Sequence, residues 1–242
     1  MMTRRQSLGV LGAGSAFLIG VDPPGGNAPT AAQSDAAAYA GNHAPQPLPF
    51  DPKALKGISE KLIVSHHENN YGGAVKNLNK VEESLRSVTK DTPPFVVGGL
   101  KDRELVFANS VTLHELYFAN LGGDGKASGE IAKTLADTYG NLGRWEEEFR
   151  ATGASLGGGS GWVTLDFDLA TQALRTHWSG NHTQTKAGAL PLLVMDMYEH
   201  AYQMDYGAAA AKYIEAFFAN IRWEEVERRF TRARRASAEL AK

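Results

Sequence analysis

Residues 189–206 read A-L-P-L-L-V-M-D-M-Y-E-H-A-Y-Q-M-D-Y. The stretch opens as an apolar run, Leu190 to Val194, of strand length and strand composition. It then sets Asp196 and His200 four residues apart, with Glu199 between them. Burying a carboxylate or an imidazole without a partner is costly. A strand that runs straight into both therefore needs a compensating group, and a metal ion is one. Two ligands do not hold an ion, so residues upstream have to complete the set.

The histidines supply candidates: His43, His66, His67, His114, His177 and His182 precede His200. His66 and His114 sit inside two long helical patterns, among apolar neighbours. With Asp196 and His200 they make three imidazoles and one carboxylate, a mixed nitrogen and oxygen set that suits iron or manganese and also zinc. One anion undercompensates a divalent or trivalent ion, so an open position for solvent or hydroxide is expected. The spacing alone is a moderate signal, because a single histidine on an apolar face is often a hydrogen-bonded core residue.

The rest of the chain bounds the answer. Its 242 residues are 43% hydrophobic and 21% charged, with formal net charge −2. No basic excess exists to neutralise phosphates, which argues against nucleic acid as a partner. The arginines between 228 and 235 read as a solvated helix end. Cysteine is absent, which excludes disulfides, thiolate nucleophiles and cysteine-ligated metals.

The N-terminus, M-M-T-R-R-Q-S-L-G-V-L-G-A-G-S-A-F-L-I-G, has the layout of a secretory signal, and Arg4-Arg5 resembles a twin-arginine motif. The expectation is export, to a periplasm. The apolar run over 8–21 is too short and glycine-rich to span a membrane, so no membrane partner is expected. Residues 22–48, rich in Pro, Gly, Ala, Ser and Asn, read as a linker containing the cleavage site, near Ala31–Ala32 or Ala38.

Periodicity then gives helices over 59–85 and 102–121, forming an antiparallel hairpin, with a loop at 92–99 between them. Shorter helices follow over 128–139 and 142–152. Strands are expected at 162–168, 173–179 and 190–195, and closing helices at 208–220 and 223–235. The class is α+β: an N-terminal antiparallel helical hairpin, then a C-terminal half with a small three-stranded antiparallel sheet and surrounding helices. The boundaries are 1–45 for signal and linker, 46–125 for the hairpin and 126–242 for the C-terminal half.

Several motifs occur together in order: P-L-P-F-D-P at 47–52, His66 with N-L-N at 77–79, H-E-L-Y-F at 114–118, G-S-G-W at 159–162, P-L-L at 191–193, D-M-Y-E-H-A-Y-Q-M-D-Y at 196–206 and I-R-W-E-E-V at 221–226. In this series the chain resembles the iron/manganese superoxide dismutase family. The resemblance implies that His66, His114, Asp196 and His200 bind one iron or manganese ion per subunit, five-coordinate with one solvent. It implies dismutation of superoxide to dioxygen and hydrogen peroxide, an antioxidant activity. It implies self-association as a homodimer, or a dimer of dimers, with Glu199 reaching His200 of the partner subunit.

The chain also departs from the family pattern. His182 falls near the residue that faces the metal-bound solvent, with Asn181 and Ser110 as weaker candidates. The family's active-site tyrosine falls at Ala74, and Tyr71 is the phenol that could replace it, or else a packing residue. The histidine of the substrate gateway falls at Asn70 and its cross-dimer tyrosine at Gln203, so an amide–amide contact is expected across the interface. The pocket tryptophan of the signature falls at Tyr198, and Trp162 is a second pocket residue. Lys76 and Arg222 are candidate cations near the funnel. These departures motivate the alternative of a metal-binding dimer with little or no dismutase activity.

Overall fold

The computed structural model describes residues 37–240, and the predicted signal at the N-terminus lies outside them. A strap over 37–54, with short 3-10 turns at Ala37–Tyr39 and Pro52–Ala54, leads into α1 (Glu60–Ser65). Ser59 caps α1 by accepting the Leu62 N–H. The helix widens into a π turn over His66–Tyr71, then resumes as α2 (Gly72–Arg86). A π turn inserts one residue into the helical ladder and rotates the side chains that follow. Here it falls on the motif expected to carry chemistry.

α3 spans Pro94–Ala119 and is longer than its apolar stripe predicts. The expected loop ends at Pro93, because Pro94 occupies the first helical position, where proline's missing N–H costs no hydrogen bond. Gly98 and Gly99 are carried inside the helix. α2 and α3 pack along each other as the expected hairpin.

The second half begins with α4 (Gly129–Tyr139) and α5 (Leu142–Ala154). Then come the strands β1 (Trp162–Asp168), β2 (Leu174–Ser179) and β3 (Ala189–Asp196). They form one antiparallel sheet in the order β2-β1-β3. The short α6 (Gln203–Tyr206), α7 (Ala210–Ala219) and α8 (Trp223–Leu240) complete the fold. α8 continues past the expected end at residue 235, along an amphipathic face that buries Val226, Phe230 and Ala233.

One core joins both halves. Leu113, Tyr117 and Leu121 of the hairpin region meet Leu193, Val194 and Phe217 in a single cluster, so residue 125 marks a change of architecture within a shared core. The end of α3 is tied to β3 by Asn120. Its amide oxygen accepts the Val194 N–H (3.0 Å), and its amide nitrogen donates to the Leu192 carbonyl (3.4 Å). Arg229, bound to the buried Glu225, donates to the carbonyls of Leu192 and Leu116 across the same joint. No described helix is long and apolar enough to cross a membrane.

The segment read as linker is structured from its last residues onward. Gly41 N–H donates to Glu82 (2.7 Å). His43 exchanges backbone bonds with the Asn79 side chain (2.9 Å each). Its ring meets Glu82 at 2.7 Å. Composition hid this, because the partners belong to α2.

Candidate metal centre

Four elements each bring one side chain to the same point. His66 opens the π turn, His114 lies one turn before the end of α3, Asp196 ends β3, and His200 sits in the 3-10 turn Glu199–Ala201 just after it. One ligand atom from each lies within 4.8 Å of every other. From Asp196 Oδ2, the Nε2 atoms of His66, His200 and His114 are 3.1, 3.2 and 3.6 Å away. His66, His114 and Asp196 are buried, and His200 is partly exposed.

The sheet sets this geometry. Trp162 pairs with Asp196 across β1 and β3, so the tryptophan begins its strand opposite the carboxylate. Gly161 precedes it with φ +141, and a Cβ there would lie 2.3 Å from the Ser179 carbonyl oxygen. Only glycine fits that close approach. Its own carbonyl accepts the Met197 N–H (2.9 Å). Asp196 is oriented at both ends: Oδ1 accepts the Tyr198 N–H (2.8 Å), and its backbone carbonyl accepts the Tyr213 hydroxyl (2.8 Å).

Two buried nitrogens, His66 Nε2 and His114 Nε2, have no hydrogen-bond partner of good geometry, although both face Asp196. Buried polar atoms are normally satisfied. His114 Nδ1 lies 2.7 Å from the Ser110 carbonyl and so carries the proton. Its Nε2 lone pair therefore points at Asp196 and the other imidazoles. Burial lowers the pKa of His66 and pushes that of His114 down to about 3, so both rings are neutral and their lone pairs available. Burial opposes charge on Asp196, but the imidazoles of His200 and His66 outweigh it and hold the carboxyl well below the usual range. The arrangement is one carboxylate and three imidazoles on rigid elements, a donor set that fits one iron or manganese ion.

A cavity of about 230 Å3 opens onto His114, His182 and His200 and is walled by Asn69, Asn70, Gly73, Ala74 and Asn77. Neither Lys76 nor Arg222 lines it. Lys76 points to solvent, and Arg222 lies 3.9 Å from Glu225. Both lie outside the funnel, Lys76 on the outer face of α2 and Arg222 in the turn before α8.

His182 is half-buried beside the cluster, its ring centroid 6.3 Å from that of His114. Trp162 Nε1–H donates to its Nδ1 (3.0 Å), and Asn109 holds its backbone carbonyl (2.6 Å). Indole nitrogen only donates, so Nδ1 accepts and the neutral ring carries its proton on Nε2. Burial lowers the His182 pKa, which favours that neutral ring. Tyr198 stacks on His182 (4.9 Å, 9°) and on His200 (5.3 Å, 17°), a plate between the two imidazoles. Asn181 instead turns into its own loop, where its side chain accepts from Thr183. Ser110 acts through its carbonyl on His114.

Tyr71 is brought close, but its hydroxyl turns elsewhere. It accepts the Gln46 N–H (2.7 Å) and donates to Glu115 (2.8 Å). The expected replacement of the active-site phenol is therefore not what the geometry provides; the position of that phenol is taken by the small Ala74 on the cavity wall. Glu199 and Gln203 are exposed, and Asn70 is half-buried in the cavity rim. Asn109 and Tyr213, which hold His182 and Asp196, stand in no motif and carry no sequence signal of their own.

Residues 127–229 match the family model described as iron/manganese superoxide dismutases, C-terminal domain. The chain is 47% identical over 189 residues to the iron superoxide dismutase of Cupriavidus metallidurans, covering 78% of this chain and 96% of that protein. It is 34% identical over 194 residues to the iron superoxide dismutase of Aquifex aeolicus, covering 76% and 90%. It is 31% identical over 192 residues to a manganese superoxide dismutase of Halobacterium salinarum, covering 77% and 94%. With this convergence of side chains in a fold of the expected architecture, the chain belongs to the iron/manganese superoxide dismutase family.

Proposed function

We propose that His66, His114, Asp196 and His200 hold the single iron or manganese ion of a superoxide dismutase, and that the cavity above them admits superoxide. The observation that carries this reading is the pair of buried, unpartnered imidazole nitrogens facing one carboxylate. Iron or manganese bound there supplies one-electron chemistry between the 2+ and 3+ states. One superoxide is oxidised to dioxygen; a second is reduced and takes up two protons as hydrogen peroxide.

The chain's own residues do the rest. His182 presents its Nε2–H to the small anion in the cavity, with Trp162 fixing the tautomer from behind. Tyr198, stacked between His182 and His200, holds the two rings near parallel on its opposite faces. Asn69, Asn70 and Asn77 give the cavity neutral hydrogen-bonding walls. Second-sphere groups of this kind typically change metal affinity or activity by 10- to 100-fold.

The test is metal content measured beside superoxide consumption for the purified protein and for His114→Ala. The expected result is a fast rate that scales with bound iron or manganese and collapses in the variant. Full loading with a rate no better than the free ion would sink the enzyme reading in favour of a metal-binding protein of the same fold.

The homodimer belongs to the same proposal. Glu199 and Gln203 are exposed beside the metal centre, next to the half-exposed Met204, a surface suited to a second copy. Sedimentation at micromolar concentration should give twice the chain mass; a monomer would reject the interface. Export rests on Arg4-Arg5 and the segment after it. Replacing both arginines by lysine should retain the protein in the cytoplasm, and unchanged export would reject the twin-arginine route.

A further inference from the structure

Tyr71 is fully buried, yet its hydroxyl belongs to no part of the cavity. It sits where three separate pieces of chain meet. Gln46, in the N-terminal strap, gives its N–H to the phenol oxygen (2.7 Å), and its carbonyl accepts His67 Nε2–H (2.8 Å). The strap is thus gripped by residues 67 and 71 of the π turn that begins at His66. On the far side, the Tyr71 hydroxyl donates to Glu115 of α3 (2.8 Å), the residue after His114. The ring itself packs 5.9 Å from Phe118 and 6.2 Å from His114.

We propose that Tyr71 is a positioning residue, a three-way bolt that sets the spacing of the π turn bearing His66 and the α3 turn bearing His114. The inference rests on the reading of those two histidines as metal ligands. A phenol has one proton to donate and a lone pair to accept with; both are engaged here, one on each side of the joint. Burial pushes the Tyr71 hydroxyl up to about 12, so it keeps the proton that Glu115 accepts. The inserted residue of a π turn interrupts the regular hydrogen-bond ladder of the helix. A tie from its last residue to the neighbouring helix is what such a turn needs if its first residue is a metal ligand.

The strap adds to the joint. Upstream of Gln46, Gly41 and His43 bind Glu82 and Asn79, a site on α2 about two to three turns beyond Tyr71. The bolt therefore depends on a segment that has to remain attached after any processing.

The test compares Tyr71→Phe, Glu115→Ala and Glu115→Gln in the iron-loaded full chain. The readouts are the ligand-field spectrum of the ferric form and the half-time of iron release to a chelator. Tyr71→Phe removes one oxygen and keeps the ring. It should shift the spectrum and speed release by roughly tenfold. Glu115→Ala should do the same, the double variant should add little, and Glu115→Gln, which keeps an acceptor, should restore wild-type behaviour. Ile131→Val, remote on α4, serves as the control that lowers stability without moving the spectrum.

A wild-type spectrum and release rate in Tyr71→Phe would overturn the bolt. Should that variant fail to fold, Glu115→Ala decides from the other side of the joint, and an unchanged spectrum there is equally fatal. If the wild type binds neither iron nor manganese, the ligand reading fails by itself. Amide exchange over 66–71 in the metal-free protein then still decides the bolt: faster in Tyr71→Phe supports it, equal rates refute it.

Discussion

Asp196 is the one acid among the four converging groups, and its neighbours decide what it does. Its carboxylate keeps its charge at depth because imidazoles surround it. The rings of His66 and His114 stay neutral because depth forbids their charge. That balance has a pH signature in the metal-free chain. His66 and His114 have lowered pKa values when folded, so below about 6.5 the unfolded chain binds more protons than the folded one. Stability from these groups is complete above that pH and falls as the solution is acidified. For His114 the expected slope approaches about 1.4 kcal/mol per pH unit across the window from about 6.5 towards 3, and His66 adds in the same direction. Thermal unfolding of the metal-free protein at a series of pH values checks this, and a flat profile between pH 6.5 and 4.5 would contradict it.

At the same scale, His182→Ala should leave metal content intact while lowering the superoxide rate about 10- to 100-fold. Trp162→Phe should move the rate in the same direction, since it frees the tautomer that the indole fixes. Metal-loaded His182→Ala with the wild-type rate would remove His182 from the mechanism. The ligand histidines were legible because imidazole and carboxylate are rare on apolar faces and the surrounding motifs fix their order. Tyr71 was legible as a residue but not as a bond. Its partners Gln46 and Glu115 lie 25 and 44 positions away, and no local pattern points to either.

The elements follow their sequence periods closely where local chemistry rules. β1 matches its expected bounds, and β3 ends at the carboxylate that the apolar run leads into. The periods fail where another element takes over. The start of α3 is set by Pro94, inside a stretch whose prolines and glycines read as loop. The π turn appears in no hydrophobic count; its first residue, His66, packs against His114, Phe118 and His200 from other elements. Asn120 is the element-scale counterpart of a ligand, because it fixes where α3 meets β3. Asn120→Ala leaves the Val194 N–H buried and unpaired. The variant should lose about 1–3 kcal/mol in denaturant unfolding. A loss below about 0.5 kcal/mol would show that the Arg229 bonds to the Leu192 and Leu116 carbonyls hold this joint without it.

For the molecule as a whole, the centre is assembled from both halves: the hairpin supplies two imidazoles, and the sheet with its following turn supplies the carboxylate and the third. Neither half holds a complete set, which is why their shared core matters to function. The part of the strap over 41–46 extends this dependence to a segment whose composition alone reads as linker. The central claim is that one metal ion sits among His66, His114, Asp196 and His200. Its most direct test is anomalous diffraction at the iron and manganese edges from crystals of the purified, active protein. The account predicts one peak per chain, in bonding contact with all four ligand atoms. A peak elsewhere, or none in crystals of fully active protein, would contradict it.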